Sequence, residues 1–119
     1  MLALVADLIF AARIRGASEA AGTPVDTLRS PEELLERAIA APPALILVDL
    51  DARAGRPAAL ITRLKEDPRT AAVRVVAFVS HVREDAMAEA RAAGADRVMA
   101  RGAFVRELNA ILETVGRPD

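Results

Sequence analysis

The chain has 119 residues, of which 16 are Lys or Arg and 17 are Asp or Glu, so its formal net charge is −1. This length fits one domain, and the balanced charge does not indicate a nucleic-acid partner or a membrane surface. No cysteine is present and His81 is the only histidine, which excludes disulfides, thiolate metal sites, cysteine nucleophiles and multi-histidine metal cages. The apolar N-terminus lacks a secretory leader and is broken by Asp7, so we expect a cytoplasmic protein.

Apolar runs that end at turn residues alternate with segments of helical periodicity along the chain. In chain order, the pattern predicts strand 2–6, helix 9–21, strand 24–28, a helix from Ser30–Pro31 to Pro42, strand 44–48, a helix through Leu60 and Leu64 that stops at Asp67–Pro68, strand 75–79, helix 83–93, strand 97–100 and a last helix through Phe104 and Val115. Ser30 is a preferred helix cap, Gly94 closes helix 83–93, and residues 117–119 are expected to fray.

Five apolar strands that alternate with helices predict an α/β fold. Parallel strands need crossover helices, which cover both faces of the sheet and keep its strands buried. We therefore expect one doubly wound, five-stranded parallel sheet in the flavodoxin-like order 2-1-3-4-5, with helices on both faces. No linker interrupts the pattern, so residues 1–119 are predicted to form a single domain.

Polar residues follow four of the predicted strands, at the point where each strand ends. Ligands of doubly wound sheets bind beyond the carboxyl ends of the strands, where the winding reverses direction. Strands one and three are neighbours at that point, so Asp7 and Asp49 are expected to face one crevice. Ser80 ends strand four and Arg101 follows strand five on the same rim. An acid, a second acid, a hydroxyl and a cation are therefore predicted to converge.

The sequence resembles the receiver domains of response regulators, the phosphate-accepting half of two-component signalling. The resemblance rests on the strand–helix order and on the segments LILVDLDA, LKEDPRTAAVRVVAFVS and AGADRVMARGAF. It implies that Asp49 is the phosphoacceptor, that Asp51 lends a backbone carbonyl to Mg²⁺, and that Ser80 and Arg101 contact the phosphoryl group. Mg²⁺ takes carboxylate, carbonyl and water oxygens, so Asp7 and Asp49 are the implied side-chain ligands if the site is active.

Three positions depart from the receiver pattern. Receivers usually end strand one with two adjacent acids, whereas Val5-Ala6-Asp7-Leu8 contains only one, and counting back from Gly22 also allows Asp7 to fall one position beyond the pair. Arg101 replaces a lysine and is followed by Gly102 rather than proline, and guanidinium is planar and bulkier than ammonium. Val98 replaces an aromatic residue that swings inward upon phosphorylation. These departures predict a divergent phosphorylation site of the pseudo-receiver kind.

Each candidate residue also has a purely structural alternative. Asp49 could be a strand-end carboxylate that accepts backbone N–H bonds, and Asp7 could cap the helix that follows it. Ser80 could cap helix 83–93, Asp51 could be a loop residue whose side chain matters little, and His81 could be an ordinary loop residue.

The leading hypothesis is a single-domain, receiver-like signalling module that acts through a protein partner, either a histidine kinase or a downstream effector. It is not an enzyme, apart from self-phosphorylation of Asp49 as a receiver. The alternative is a functional phosphoaccepting receiver with Mg²⁺-dependent phosphorylation of Asp49. A flavin-binding protein is disfavoured, because DLIFAARI after strand one lacks a hydroxyl- or Gly-rich phosphate loop. The sequence leaves the oligomeric state open.

Overall fold

The computed structural model of the protein describes residues 1–52, 56–80 and 83–115. Its elements are, in chain order, β1 (Leu2–Leu4), α1 (Leu8–Ala20), β2 (Asp26–Leu28), α2 (Pro31–Ala40), β3 (Leu45–Asp49), α3 (Pro57–Glu66), β4 (Arg74–Val79), α4 (Glu84–Ala92), β5 (Arg97–Ala100) and α5 (Arg101–Val115). Every predicted strand and helix is present. His81 and the tail 117–119 lie outside the described residues.

Two element boundaries differ from the prediction in ways that matter for the site. β1 ends at Leu4 instead of residue 6, because the chain must turn before Asp7 to cap α1. α5 begins at Arg101, directly after β5 ends at Ala100. The backbone of Arg101 therefore lies directly between a strand and a helix, with no intervening loop.

The five strands form one parallel sheet in the order β2-β1-β3-β4-β5, which confirms the predicted order. The winding reverses between β1 and β3, whose register pairs Leu2 with Ile46 and Leu4 with Val48. Because these two strands run in the same direction and end side by side, the segments that follow them share one edge of the sheet.

Both faces of the sheet are covered, as the apolar strands require. α1 and α5 pack on one face, where buried side chains include Phe10, Ile14, Leu47, Phe78, Phe104 and Leu108. α2, α3 and α4 pack on the other face. The side chains buried there include Leu4, Leu34, Ile46, Ile61, Val75 and Ala90. Each large aliphatic or aromatic side chain buried in this way contributes about 1.5–3 kcal/mol to folding. None of the described helices has the length and apolar run needed to cross a membrane.

Lys65, the only lysine of the chain, closes the sheet edge opposite the strands' carboxyl ends. Its Nζ donates to the Val73 carbonyl at 2.7 Å and to the Asp96 carboxylate at 2.9 Å. The same Asp96 oxygen accepts the Val75 N–H at 2.7 Å, so one lysine joins α3 to the starts of β4 and β5. Gly94 has φ +106°, and a Cβ there would lie 3.0 Å from the Lys65 side chain.

Replacing Lys65 with methionine keeps most of the apolar part of the side chain and removes the Nζ hydrogen-bond donor. The Val73 carbonyl and the Asp96 carboxylate then lose a partly buried partner, so we expect the free energy of unfolding to fall by about 1–3 kcal/mol in urea denaturation. Arg37→Met is the control, because the side chains of the Arg37–Asp26 pair are 42% and 60% exposed. Such an exposed ion pair contributes about 0–1 kcal/mol to the free energy of unfolding. Equal losses in the two variants would contradict the assigned role of Lys65.

Candidate functional site

Four charged side chains meet at the carboxyl edge of the sheet. Asp7 lies just before α1, Asp49 ends β3, Asp51 lies two residues further on, and Arg101 begins α5. The Arg101 guanidinium lies 3.5 Å from Asp7 Oδ2, 3.9 Å from Asp49 Oδ2 and 4.0 Å from Asp51 Oδ2. The predicted convergence of Asp7, Asp49 and Arg101 at one edge is therefore present. We call these four side chains the Arg101 cluster.

Asp7 divides its two carboxylate oxygens between two tasks. Oδ1 accepts the backbone N–H groups of Ile9 at 2.9 Å and Phe10 at 3.1 Å, which makes Asp7 the N-cap of α1. Oδ2 faces Arg101. The hydrogen bond from Phe10, aided by that from Ile9 and by the charge of Arg101, holds the pKa of Asp7 below its ordinary value. The capping alternative is correct, and it leaves one oxygen for the Arg101 cluster.

Asp49 is fully buried at the end of β3. Its Oδ1 accepts the N–H of Asp51 at 2.9 Å, as the strand-end alternative predicts. Its Oδ2 has no hydrogen-bond donor among the described residues, and the guanidinium of Arg101 lies 3.9 Å from it. Burial raises the pKa of Asp49, because an ionised carboxylate loses water there. A carboxylate with one unsatisfied oxygen in a buried place is costly, so folding alone does not account for it.

The side chain of Asp51 connects two strand ends. Its Oδ2 accepts the backbone N–H of Ser80 at 2.7 Å, across 29 residues of sequence. The expectation that this side chain matters little is therefore wrong. Burial acts to raise the pKa of Asp51, but the hydrogen bonds from Ser80 and the charge of Arg101 outweigh it, and the pKa lies below its ordinary value.

Ser80 lies on the wall of the same site rather than at the start of a helix. It immediately follows β4, and its backbone is held by Asp51. The N-cap position of α4 is Arg83, so the alternative that Ser80 caps this helix is wrong.

Phe10 supports the guanidinium of Arg101 and is the site residue that sequence reasoning missed. The centre of the guanidinium lies 4.1 Å from the centroid of the Phe10 ring, within reach of a cation–π interaction. Phe10 in turn contacts Phe78 and Phe104, with ring centroids 5.2 Å and 6.1 Å away. All three phenylalanines of the chain thus form one cluster, and Arg101 lies over its Phe10 ring. The available signal was helical periodicity, which places Phe10 on the buried face of α1 three residues after Asp7.

The Arg101 cluster is reached through an open cavity of about 480 Å³ on the side of α1 and α5. Its lining residues are Asp7, Ile9, Phe10, Arg13, Ser80, Arg101, Gly102 and Val105. Cavities of this size admit small ligands. The exposed side chain of Ile9 forms part of its rim.

With Arg101 in this position, the carboxylates do not fit a divalent metal ion. Among the described residues, no group of three or more acidic or histidine side chains is arranged to hold one. Asp7 Oδ1, Asp49 Oδ1 and Asp51 Oδ2 already accept backbone N–H groups. The guanidinium faces the remaining oxygens of Asp7 and Asp49. Mg²⁺ needs near-octahedral oxygens and keeps several waters, for which this arrangement leaves no position.

Comparison with solved structures identifies the architecture. The signal receiver domain of a DNA-binding response regulator from Colwellia psychrerythraea 34H superposes with a TM-score of 0.82 at 18% identity, over 95% of this chain and 94% of that one. The chain has the receiver fold. The chemotaxis protein CheY4 of Vibrio cholerae shares it, with a TM-score of 0.82 at 17% identity over 96% of this chain and 95% of that one.

A third solved structure with the receiver fold carries the modification and an ion. It is a response regulator protein from Burkholderia pseudomallei with a phosphorylated aspartic acid, calcium ion and citrate. Its TM-score is 0.79 at 25% identity, over 95% of this chain and 65% of that one. No protein-family model and no curated protein sequence matches this chain. The receiver fold is thus established by structure, and the roles of Asp49, Asp51, Ser80 and Arg101 stay predictions.

The two tasks of Asp7 can be separated by mutation. Asp7→Ala removes the cap of α1, so we expect the free energy of unfolding to fall by about 1 kcal/mol. Asp7→Ser keeps an oxygen for the Ile9 and Phe10 N–H groups and removes only the charge beside Arg101, so it should stay close to the wild type. Urea denaturation of both variants measures the difference. If serine is as destabilising as alanine, the ion pair with Arg101 and not the cap stabilises this end of α1.

Proposed function

We propose that the chain is a single-domain, receiver-like signalling module that acts by binding a protein partner, with a phosphorylation site that has lost its activity. The observation that carries this proposal is the position of Arg101, whose guanidinium lies 3.9 Å from Asp49 Oδ2. This is the oxygen of Asp49 that is left free to accept a phosphoryl group, because Oδ1 is bonded to the backbone.

Steric considerations support an inactive site. A phosphoryl group bonded to Asp49 Oδ2 would need its own oxygens between that atom and Arg101. A gap of 3.9 Å does not hold both the group and hydrogen bonds to it. Lysine could withdraw along its flexible stem, whereas the guanidinium is planar and stacked on Phe10. Phosphorylation would therefore require Arg101 to leave its place.

Electrostatics support the same conclusion. The Arg101 cluster contains three carboxylates and one cation. A phosphoryl group carries about −1.5 to −2 charges and replaces the single negative charge of the Asp49 carboxylate, so the cluster would become more negative. Without a divalent ion, the single guanidinium offsets only part of that charge, and like charges held close together are unfavourable.

The residue at position 98 also argues against a conformational switch driven by phosphorylation. Val98 packs, half-buried, against the core beneath α2, α3 and α4. A valine there has no ring that could swing between an outer and an inner position. We therefore expect the chain to bind its partner without a change of conformation at Val98.

The partner is expected to be a protein, a histidine kinase or a downstream effector, and we expect the interaction to take place in the cytoplasm. The net charge of −1 supports a protein over a nucleic acid. No catalytic activity on an external substrate is proposed.

A working receiver is the second candidate. It is favoured by Asp49 at the end of β3 and by Ser80, which lines the same cavity as Arg101. The response regulator from Burkholderia pseudomallei, which has the same fold, is phosphorylated on an aspartic acid. In this candidate, Mg²⁺ would bind only after Arg101 moves away from the carboxylates.

Intact-mass measurement after incubation with Mg²⁺ and a small acyl phosphate donor distinguishes the two candidates. We expect the wild-type mass to stay unchanged, as it must in the Asp49→Asn control. A stoichiometric gain of one phosphate in the wild type, absent from Asp49→Asn, would overturn the inactive site and establish the working receiver.

A further inference from the structure

We propose that Arg101 is a resident cation that replaces a divalent metal ion among Asp7, Asp49 and Asp51, so that removing its side chain opens a metal-binding site. The inference rests on the proposed function only in treating the Arg101 cluster as the counterpart of a receiver's phosphorylation site. It concerns what holds the three carboxylates together, whether or not a phosphate is ever accepted.

The three oxygens that face Arg101 come from two places in the chain, the start of α1 and the end of β3. Asp7 precedes α1, Asp49 ends β3, and Asp51 lies in the segment after β3. Their distances to the guanidinium, 3.5, 3.9 and 4.0 Å, are longer than direct hydrogen bonds. The guanidinium therefore acts as a shared positive charge, and not as a bidentate partner of one acid. A shared charge among hard oxygens is also the role of a divalent ion.

The position of Arg101 is set by the carboxylates and by Phe10, since the helix it begins does not favour it. A helix N-terminus carries partial positive charge, so a cation in the first turn is unfavourable there. Arg101 is nevertheless the first residue of α5, and its side chain is only 24% exposed. Attraction to three acids and stacking 4.1 Å from the Phe10 centroid compensate for this placement.

The resident arginine and a metal ion exclude each other. A divalent ion placed among these oxygens would lie within a few ångströms of the guanidinium, where repulsion between the two cations is strong in a partly buried site. Without the Arg101 side chain, the outward oxygens of Asp7 and Asp49 lose their cation and Asp51 keeps an oxygen outside its bond to Ser80. The free oxygens of Asp7 and Asp49 then face one space, and a hard divalent cation that keeps several waters needs only one or two carboxylates.

Mn²⁺ titration of the 119-residue chain tests this proposal, with free Mn²⁺ followed by electron paramagnetic resonance. Arg101→Met removes the charge and keeps an apolar stem over Phe10. We expect it to bind one Mn²⁺ per chain at least about tenfold more tightly than the wild type, because the repelling cation is gone. Mg²⁺ should compete for the same site. The double variant Arg101→Met with Asp49→Asn should lose the gain.

Arg13→Met is the matched control. Arg13 lines the same cavity and is exposed, so its loss changes the net charge equally without touching the Arg101 cluster. It should bind Mn²⁺ no better than the wild type. A gain in Arg13→Met equal to that in Arg101→Met would overturn the proposal, because net charge alone would then explain the binding.

Two further outcomes would also overturn it. One is tight Mn²⁺ binding by the wild type, and the other is a folded Arg101→Met variant, verified by circular dichroism, that binds no better than the wild type. If Arg101→Met does not fold, Arg101→Lys decides, because its shorter, flexible point charge preserves the net charge but no longer spans three acids. It should gain Mn²⁺ binding as well, and no gain would overturn the proposal. The titration uses no phosphate donor, so its failure is distinct from failure of the proposed function.

Discussion

Three carboxylates share one guanidinium at the carboxyl edge of the sheet, and the geometry of the site depends on this contact. The parallel pairing of β1 with β3 forces Asp7 and Asp49 together, and Asp51 is tied to the end of β4 through Ser80. Acids held this close repel one another unless a cation lies between them. Removing one partner of such a partly buried pair usually lowers the stability of the fold by more than the intact pair raises it. Arg101 therefore stabilises the three carboxylates and also occupies the space between them.

The two ends of the sheet use cations in different ways. At one end, Lys65 makes short hydrogen bonds to the Val73 carbonyl and Asp96, which satisfies those groups and fastens α3 to the strands. At the other, Arg101 lies at longer distances from Asp7, Asp49 and Asp51, and one oxygen of Asp49 has no donor among the described residues. In the first arrangement the charged groups are paired by short hydrogen bonds and serve the stability of the fold. The second retains unsatisfied charge, which is typical of sites where function and not stability decides the residues.

The receiver fold and the proposed function depend on different parts of the chain. Fold and function are separable, because the sheet depends on apolar strands and helices while the chemistry depends on a few side chains at the strand ends. Asp49 and Ser80 keep the places that the resemblance implies. Around them, Asp7 caps a helix, the Arg101 guanidinium lies 3.9 Å from Asp49 Oδ2, and Val98 packs half-buried against the core.

Much of the fold and part of the site could be predicted from the sequence. Apolar runs and helical periodicity determined all five strands and five helices, because these patterns reflect burial on the two faces of a sheet. Alternating strands and helices predicted a doubly wound sheet, and its flavodoxin-like strand order predicted the meeting of Asp7, Asp49 and Arg101.

Tertiary structure alone decided what each side chain touches. The bond from Ser80 to Asp51 spans 29 residues and depends on how the segment after β3 meets the end of β4. The stacking of Arg101 on Phe10 depends on α1 and α5 lying together on one face. Such contacts arise from the packing of whole elements and the rotamers that this packing allows, and no local pattern in the chain records them. The sequence by itself therefore determined which charges meet at the edge of the sheet, and only the tertiary structure decided that the guanidinium lies among the acids.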